Sequence, residues 1–419
     1  MASILAYYID SFILKGAEVP PPLEGIKVID MSQIYFGPGG AVYLADQGAD
    51  VIKVETLRGD SMRHRYTSSY LTQFNLSKPF LSLNRNKKSI SLDIGTAEGQ
   101  KIVFDLCSSA DVFILNMRPG AEKKFGLDFD TLSQINERLI YVCISGFGNE
   151  GPDASLPAYD IVLQAKSGIL SLRRHPDGTP VPYPIMFSDM SGCMSLSYSV
   201  MLALWEREKT GIGQKVECSL LNQALAMQMQ QLIWIENEED SLADEAPSAM
   251  ASCYQCSDDK WIAIVVMEAN QWTALCKVLE LEHLVNHPKF NTYEGRVKNA
   301  LELGELISGI VFTKTSDYWI PKLKEGAVPS SIVQDRNDLL LDDQVIANRM
   351  IVSDIHPSVG TLNYVMPPFK MSSHNYINSA RLPAPLLGEH SKEILDSLGY
   401  KEEEIQSLVN RNIVRTNSE

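Results

Sequence analysis

The stretch IKVIDMSQIYFGPGGAVYLADQGADVIKVE, residues 26–55, decides the fold. IKVID (26–30) and DVIKVE (50–55) read as near-continuous apolar strands, with the short helical pattern GGAVYLADQGA (39–49) between them. A strand that is apolar on both faces needs cover on both, so this β–α–β unit predicts a parallel sheet rather than a hairpin. The pattern recurs downstream. SISLDI (89–94) precedes a helix at 97–109, and DVFIL (111–115) and LIYVCIS (139–145) are further buried strands. The fold class is therefore α/β. Ligands of such sheets sit beyond the carboxyl ends of the strands, which points to the loops after Asp30, Glu55, Leu115 and Ser145.

A chain of 419 residues, 45% of them hydrophobic, has material for two or three domains and a large core. Its net charge of −15 argues against nucleic acid or an anionic membrane as partner, so an anionic ligand needs a local basic pocket. Seven scattered cysteines read as reduced cytoplasmic thiols. Cys253 and Cys256 lack a second pair, and no metal is expected there. The apolar patches before Lys15 are too short and interrupted to anchor or export the chain; residues 1–22 read as a docking extension closed by Pro20, Pro21 and Pro22.

Gly146, Gly148 and Gly151 spell a dinucleotide fingerprint directly after a strand. Pro152 and Pro157 follow, so no helix opens there to receive a pyrophosphate, and nicotinamide binding is not expected. The chemistry is expected instead in VPYPIMFSDMSGCMS, residues 181–195, where a proline-bounded segment turns into a helical pattern at Asp189. A carboxylate at a helix start faces unpaired N–H groups, which would hold it ionised and aimed. Asp also caps helices for purely structural reasons, so position alone leaves both roles open. Asp160, near the start of a helix expected over 158–170, is a second candidate acid.

Further along, a turn at 210–214 leads into strand KVECS (215–219) and a helix expected from about 220 to 235, and an acidic run at 236–245 reads as a solvated linker. WIAIVV (261–266) opens a second region with helices expected at 270–281 and 297–312 and a strand at 327–335. A short helix at 344–349 and a hairpin of 350–355 with 361–365 follow, and the tail closes with helices at 391–398 and 402–409.

The motifs LEGIKVIDMSQIYFGPGG, ADQGADVIKVE, NRNKKSISLDI, ILNMRPGAEKKFGLDF, ISGFGNEGP, FSDMSGC, KTGIGQKVECSL and PAPLLGEHSKEILDSLGY, in this order, resemble the class III CoA-transferase family of formyl-CoA and carnitine-CoA transferase type. The resemblance implies an interlocked dimer with a Rossmann-like large domain built from both chain ends and a smaller α+β domain. The corresponding division is an extension at 1–22, the first part of the large CoA-binding domain at 23–225, a linker at 226–250, the small domain at 251–335, and a return linker and completing segment at 336–419.

Asp189 matches the family's catalytic aspartate, which takes the acyl group of a CoA thioester as a mixed anhydride and then carries CoA as an aspartyl thioester. The same resemblance implies coenzyme A as substrate, no metal, and a homodimer or a heteromer with a related subunit. By motif match Ile34, Phe36, Asn116, Met117, Arg118 and Lys124 line the CoA path, with Arg58 and Lys87 as further candidates for its phosphates. Family members cover the aspartate with a glycine-rich loop, but residues 246–257 contain no glycine. Donors near Ser191 and Gly192, or in the Gly146–Gly148 loop, are then expected to meet the oxyanion. Tyr35 stands beside the reaction where formyl-CoA transferases carry glutamine, which disfavours a formyl or oxalyl substrate.

Two other functions fit parts of the pattern. An α-methylacyl-CoA racemase shares the fold, yet Tyr159 occupies the position of its histidine, and half of its acid–base pair is absent. A non-catalytic partner subunit of a heteromeric transferase is the other. Ahead of Asp189, Arg173, Arg174 and His175 are candidates for the second carboxylate of a dicarboxylyl donor such as succinyl-CoA.

Overall fold

A computed structural model describes residues 20–233, 235–236, 249–372 and 382–417. The expected extension up to residue 19, nearly all of the acidic run and the start of the expected lid lie outside the described residues. The chain divides into two compact units, residues 1–232 with 349–419, and residues 233–348.

The first unit is built on strands β1 (Lys27–Met31), β2 (Asp50–Glu55), β3 (Lys87–Leu92), β4 (Val112–Leu115), β5 (Ile140–Ser145) and β6 (Lys215–Ser219). They pair in parallel in the order 3-2-1-4-5-6, a doubly wound sheet. Successive side chains go to opposite cores. Ile29, Phe113 and Tyr141 pack on one face against Ile102, Leu106 and Leu395, while Val28, Ile114 and Val142 pack on the other against Leu44, Leu196 and Val200. Two-sided burial is why the strand sequences show no polar alternation. A strand not expected from the sequence, Val414–Arg415, pairs antiparallel with β3 and closes that edge. Two residues carry too short a pattern to be read.

Four helices of this unit set up the site: α1 (Phe36–Ala45), α2 (Ala97–Ser108), α3 (Asp160–Lys166) and α4 (Phe187–Thr210). α1 starts three residues ahead of expectation, because Pro38 in its first turn sacrifices no hydrogen bond. Its glycines serve packing. A Cβ on Gly40 would lie 2.7 Å from Leu196, and one on Gly192 would lie 2.7 Å from the Phe36 ring, so α1 and α4 cross closely only because these positions are bare. That crossing brings Phe36 against the start of α4. The helix expected over 158–170 ends at Lys166, since Gly168 turns left-handed (φ +88°) into a single 3₁₀ turn. Likewise the helix expected to reach 235 stops at Ala226. The 350–365 hairpin forms as Ile351–His356 paired antiparallel with Gly360–Val365.

The second unit holds a three-stranded antiparallel sheet, Ala251–Gln255, Trp261–Val265 and Ser330–Ile332, packed with helices around Trp272, Leu275, Phe290, Leu303 and Trp319. Residues 251–255, read from the sequence as part of a lid, are therefore an edge strand of this sheet, with Tyr254 and Cys256 in its core. No helix of the described residues is long and apolar enough to cross a membrane.

Candidate active site

The sheet reverses its winding at β1, which is flanked by β2 on one side and β4 on the other, and the loops that leave β1 and β4 part there. Asn116 ties the two loops together. Its Oδ1 accepts from the Gln33 amide at 3.0 Å, and its Nδ2 donates to the Gln33 carbonyl at 2.7 Å. Beyond this clamp lies a cleft of about 240 Å³, lined by Ile34, Phe36, Asn116, Met117, Arg118, Gly146, Tyr159 and Asp189 among others. It sits where a doubly wound sheet binds its ligand.

The β1 loop is held from below. Ile34 has φ +77°, an outlier for a β-branched residue that persists only when neighbours over-determine it. Asp30 accepts from the Ser32 amide at 3.1 Å, Lys53 Nζ donates to the Ser32 carbonyl at 3.0 Å, and Asp60 Oδ1 accepts from the Ile34 amide at 3.3 Å. Asp30, Ser32, Lys53 and Asp60 are buried. Lys53 also pairs with Asp60 at 3.1 Å, and Arg63 grips Glu55 through two 2.7 Å hydrogen bonds. Each buried charge here meets its opposite.

Asp189 stands in the wall of the cleft as the third residue of α4, and it is only 8% exposed. It caps nothing. Asp160, at the start of α3, takes the orphan amides of the α4 N-terminus instead, with Oδ2 accepting from Ser188 N at 2.7 Å and Asp189 N at 3.3 Å. Gln164 Nε2 steadies Asp160 at 2.6 Å. Burial and, next, the Asp160 charge push the Asp189 carboxyl up to about 7, against a smaller opposing pull from the Phe36 amide. The sequence expectation of an ionised acid bathed in free helix N–H groups is corrected on this point: those amides are occupied, and the acid is desolvated beside a second acid. Such an acid is a strong base and nucleophile once ionised.

Of the other expected site residues, Ile34, Phe36, Asn116, Met117, Arg118 and Gly146 come together in the cleft. Several do not. Lys87 is fully buried, and its ammonium bonds Asp30 at 2.7 Å, the Pro38 carbonyl at 2.9 Å and Asn84 at 3.0 Å, leaving no donor for a phosphate. Arg58 and Lys124 are exposed and do not line the cleft. The Ser191 hydroxyl donates to the Phe187 carbonyl at 2.6 Å, Gly192 is a packing position, and the Gly148 amide donates to Ser145 Oγ at 3.1 Å, so none of these offers a free donor to an oxyanion. Tyr35 lines a neighbouring chamber. Burial first, then Tyr66 and Asp189, push its hydroxyl up to about 12, so it remains a protonated donor at neutral pH. Arg173, Arg174 and His175 are exposed; Arg174 donates to the Gly178 carbonyl at 3.2 Å within its own turn.

Two residues of the site carried a weak signal or none in the sequence. Asp160 was visible only as a second acid, and its grip on α4 spans 29 residues. Asp60, which anchors Ile34, sits in an ordinary-looking RGD turn.

A doubly wound sheet with a cleft at its switch point and one desolvated acid in the cleft wall defines an enzyme that works on a ligand at the carboxyl ends of its strands. The CoA-transferase family III profile matches residues 23–391, and the chain belongs to that family. It is similar to an acyl-CoA transferase of Fusarium pseudograminearum, 32% identical over 91% of this chain and 86% of that one. It is also similar to the human succinyl-CoA:glutarate CoA-transferase, 31% identical over 94% and 90% of the two chains. Among solved structures, a CAIB/BAIF family protein from Brucella suis is 28% identical, with a TM-score of 0.76 over 91% of this chain and all of that one. The chain is a CoA-transferase, whose substrates are CoA thioesters.

Proposed function

We propose that this enzyme moves CoA from a dicarboxylyl-CoA donor to a carboxylic acid, with Asp189 as the covalent carrier. The observation that carries this reading is the position of Asp189: a buried acid, without a paired cation among the described residues, in the wall of the switch-point cleft. The ionised carboxylate attacks the thioester carbonyl, and collapse of the oxyanion expels CoA thiolate and leaves an aspartyl–acyl anhydride. The thiolate then attacks the aspartyl carbonyl, the donor acid departs as carboxylate, and Asp189 holds CoA as a thioester. An acceptor carboxylate reverses these steps. Acyl activation is conserved throughout, so no further energy source is required. Arg118 and the clamp at Asn116 are the groups we assign to the CoA arm, with Ile34, Phe36 and Met117 along the pantetheine. The dicarboxylyl donor is favoured by relatives named for succinyl-CoA and glutarate.

Two copies of this chain are proposed to associate. Met194, Tyr198, Met201, Leu202 and Trp205 form an exposed apolar stripe along α4, with Tyr198 and Trp205 each more than 60% exposed. A stripe of that extent on a helix calls for a partner. Trp205→Glu is expected to shift the mass measured by light scattering from dimer to monomer.

The covalent step is tested by intact-protein mass spectrometry after mixing the enzyme with succinyl-CoA and hydroxylamine. A hydroxamate at Asp189, absent in Asp189→Asn, is the expected result. Its absence, with deuterium entering α to the thioester in heavy water, would overturn the transferase mechanism in favour of racemase-like chemistry.

A further inference from the structure

On the other side of Tyr35 from the CoA cleft, the same unit holds a second chamber of about 610 Å³. Its walls are largely apolar, with Leu83, Met190 and Leu362 beside Tyr35 and Tyr364, and the Gly360–Val365 strand supplies one side. Met190 follows Asp189 on α4, and Tyr35 lies between Ile34 and Phe36 of the cleft wall; both line the chamber, which places it beside the wall that carries the reacting carboxyl. An acyl-CoA whose thioester carbon lies at Asp189 and whose CoA arm fills the switch-point cleft must send its acyl chain out of that cleft. This chamber is a space on the Met190 and Tyr35 side of the cleft.

Among the described residues, Lys78 is the one charged residue lining it. Lys78 is exposed at the rim of the chamber, and its ammonium has no ion-pair partner among the described residues. Helix stability does not account for it, because Lys78 occupies the first position of the Lys78–Leu83 helix, where a cation opposes the helix dipole. An unpaired cation at an apolar chamber suits an aliphatic chain that ends in an anion. We propose that this chamber binds the acyl chain of a short aliphatic dicarboxylate, and that Lys78 sets acid specificity by pairing with the carboxylate remote from the thioester. The assignment rests on Asp189 as the covalent carrier and replaces Arg173 and Arg174 as the source of dicarboxylate preference. Tyr35, neutral and a donor, hydrogen-bonds at the near end of the chain.

The test is isotope exchange in the full-length enzyme, labelled succinate into succinyl-CoA and labelled butyrate into butyryl-CoA, in wild type, Lys78→Met, Lys78→Arg and Leu362→Trp. The two acyl groups have equal length and differ in the distal charge. Lys78→Met is expected to lower kcat/KM for succinate exchange about tenfold, the size of one charge-assisted hydrogen bond, and to leave butyrate exchange unchanged. Lys78→Arg should restore most of the succinate rate, and Leu362→Trp should depress both exchanges while CoA still binds. Equal effects of Lys78→Met on both acids, or none on either, would overturn the proposal, as would undiminished exchange in Leu362→Trp. If the wild type exchanges neither acid and shows no Asp189 adduct, the covalent reading falls first and this assignment with it. An adduct at Asp189 together with indifference to Lys78 would sink the chamber assignment alone.

Discussion

Two groups of buried acids lie at the carboxyl end of the same sheet and have opposite fates. Under the β1 loop, Asp30, Glu55 and Asp60 are matched by Lys53, Arg63 and Lys87. Burial, the largest single influence, would raise Glu55, yet Arg63, Lys53 and the Asp60 amide together outweigh it and hold the carboxyl at about 2; Asp30 is lowered too, by Lys87 and Lys53 against its own burial. Across the cleft, Asp160 takes the amides at the start of α4, neither it nor Asp189 pairs with a cation among the described residues, and Asp189 rises to about 7. The matched group is scaffold: it keeps Ile34 in a conformation the residue would not choose. The unmatched pair is reagent, because an acid kept short of solvation gains stability by forming a bond. Burial is common to both, and the counter-charge makes the difference.

The most severe way to break the comparison is Asp189→Asn. Transfer activity should fall by a factor of roughly 10³ or more, as when other covalent nucleophiles are removed. Stability should move the other way. The folded carboxyl near 7 lies above its ordinary value of 3.8, so the folded state holds the proton more tightly, and native stability declines as pH rises between those values. Asn should therefore raise the unfolding free energy at pH 8 by roughly 2–4 kcal/mol, and the gain should vanish by pH 4. A variant as stable as wild type at pH 8 would show that Asp189 is not strained by burial. In the wild type, kcat/KM should climb with pH through about 7 as the nucleophile ionises.

Arg63→Met should produce the next largest effect. It leaves Glu55 ionised and unpaired inside the protein, which costs about 3–5 kcal/mol in denaturant unfolding at pH 7. The pH signature is opposite to that of Asp189. Glu55 is depressed from 4.5 to about 2, so its contribution is present above pH 4.5 and is lost as pH falls toward 2. Unchanged stability would mean that the network is solvated and does not brace the loop.

Asp160→Asn separates the two consequences of the acid pair. The amide oxygen still caps α4, so the loss should be only about 1 kcal/mol. The rising limb of the pH–rate profile should shift to lower pH because the charge beside Asp189 is gone. No shift would assign the raised Asp189 pKa to burial alone. The smallest effect is expected from Arg173→Ala and Arg174→Ala, exposed residues outside the cleft: within about 0.5 kcal/mol in stability, and no change in the ratio of succinate to butyrate exchange.

Much of this fold is legible from one dimension. The two-sided apolar runs at 26–30, 50–55, 111–115 and 139–145 require a covered parallel sheet, and β–α alternation then places ligands at the strand ends. Asp189 and the Asn116–Arg118 loop stand out for the same reason: each directly follows or opens a recognisable element. What failed to show were partners distant along the chain. Lys87 and Arg118 are both basic residues beside apolar runs, yet one is sealed on Asp30 and the other faces the cleft. Gly192, a candidate oxyanion donor in the sequence, is like Gly39 and Gly40 a contact point between helices. The stretch 251–255 reads as part of a lid because it corresponds to the family's loop, and pairing with 261–265 makes it an edge strand.

The sequence by itself determined the sheet, the helix that carries Asp189 and the family, since these depend on residue order and period. Only the tertiary structure decided which acids are neutralised and which are left reactive. The charge state of a carboxyl depends on how much water it has lost and on which opposite charge lies within a few ångströms, and folding assembles that surrounding from β2, β3, α3 and α4 together.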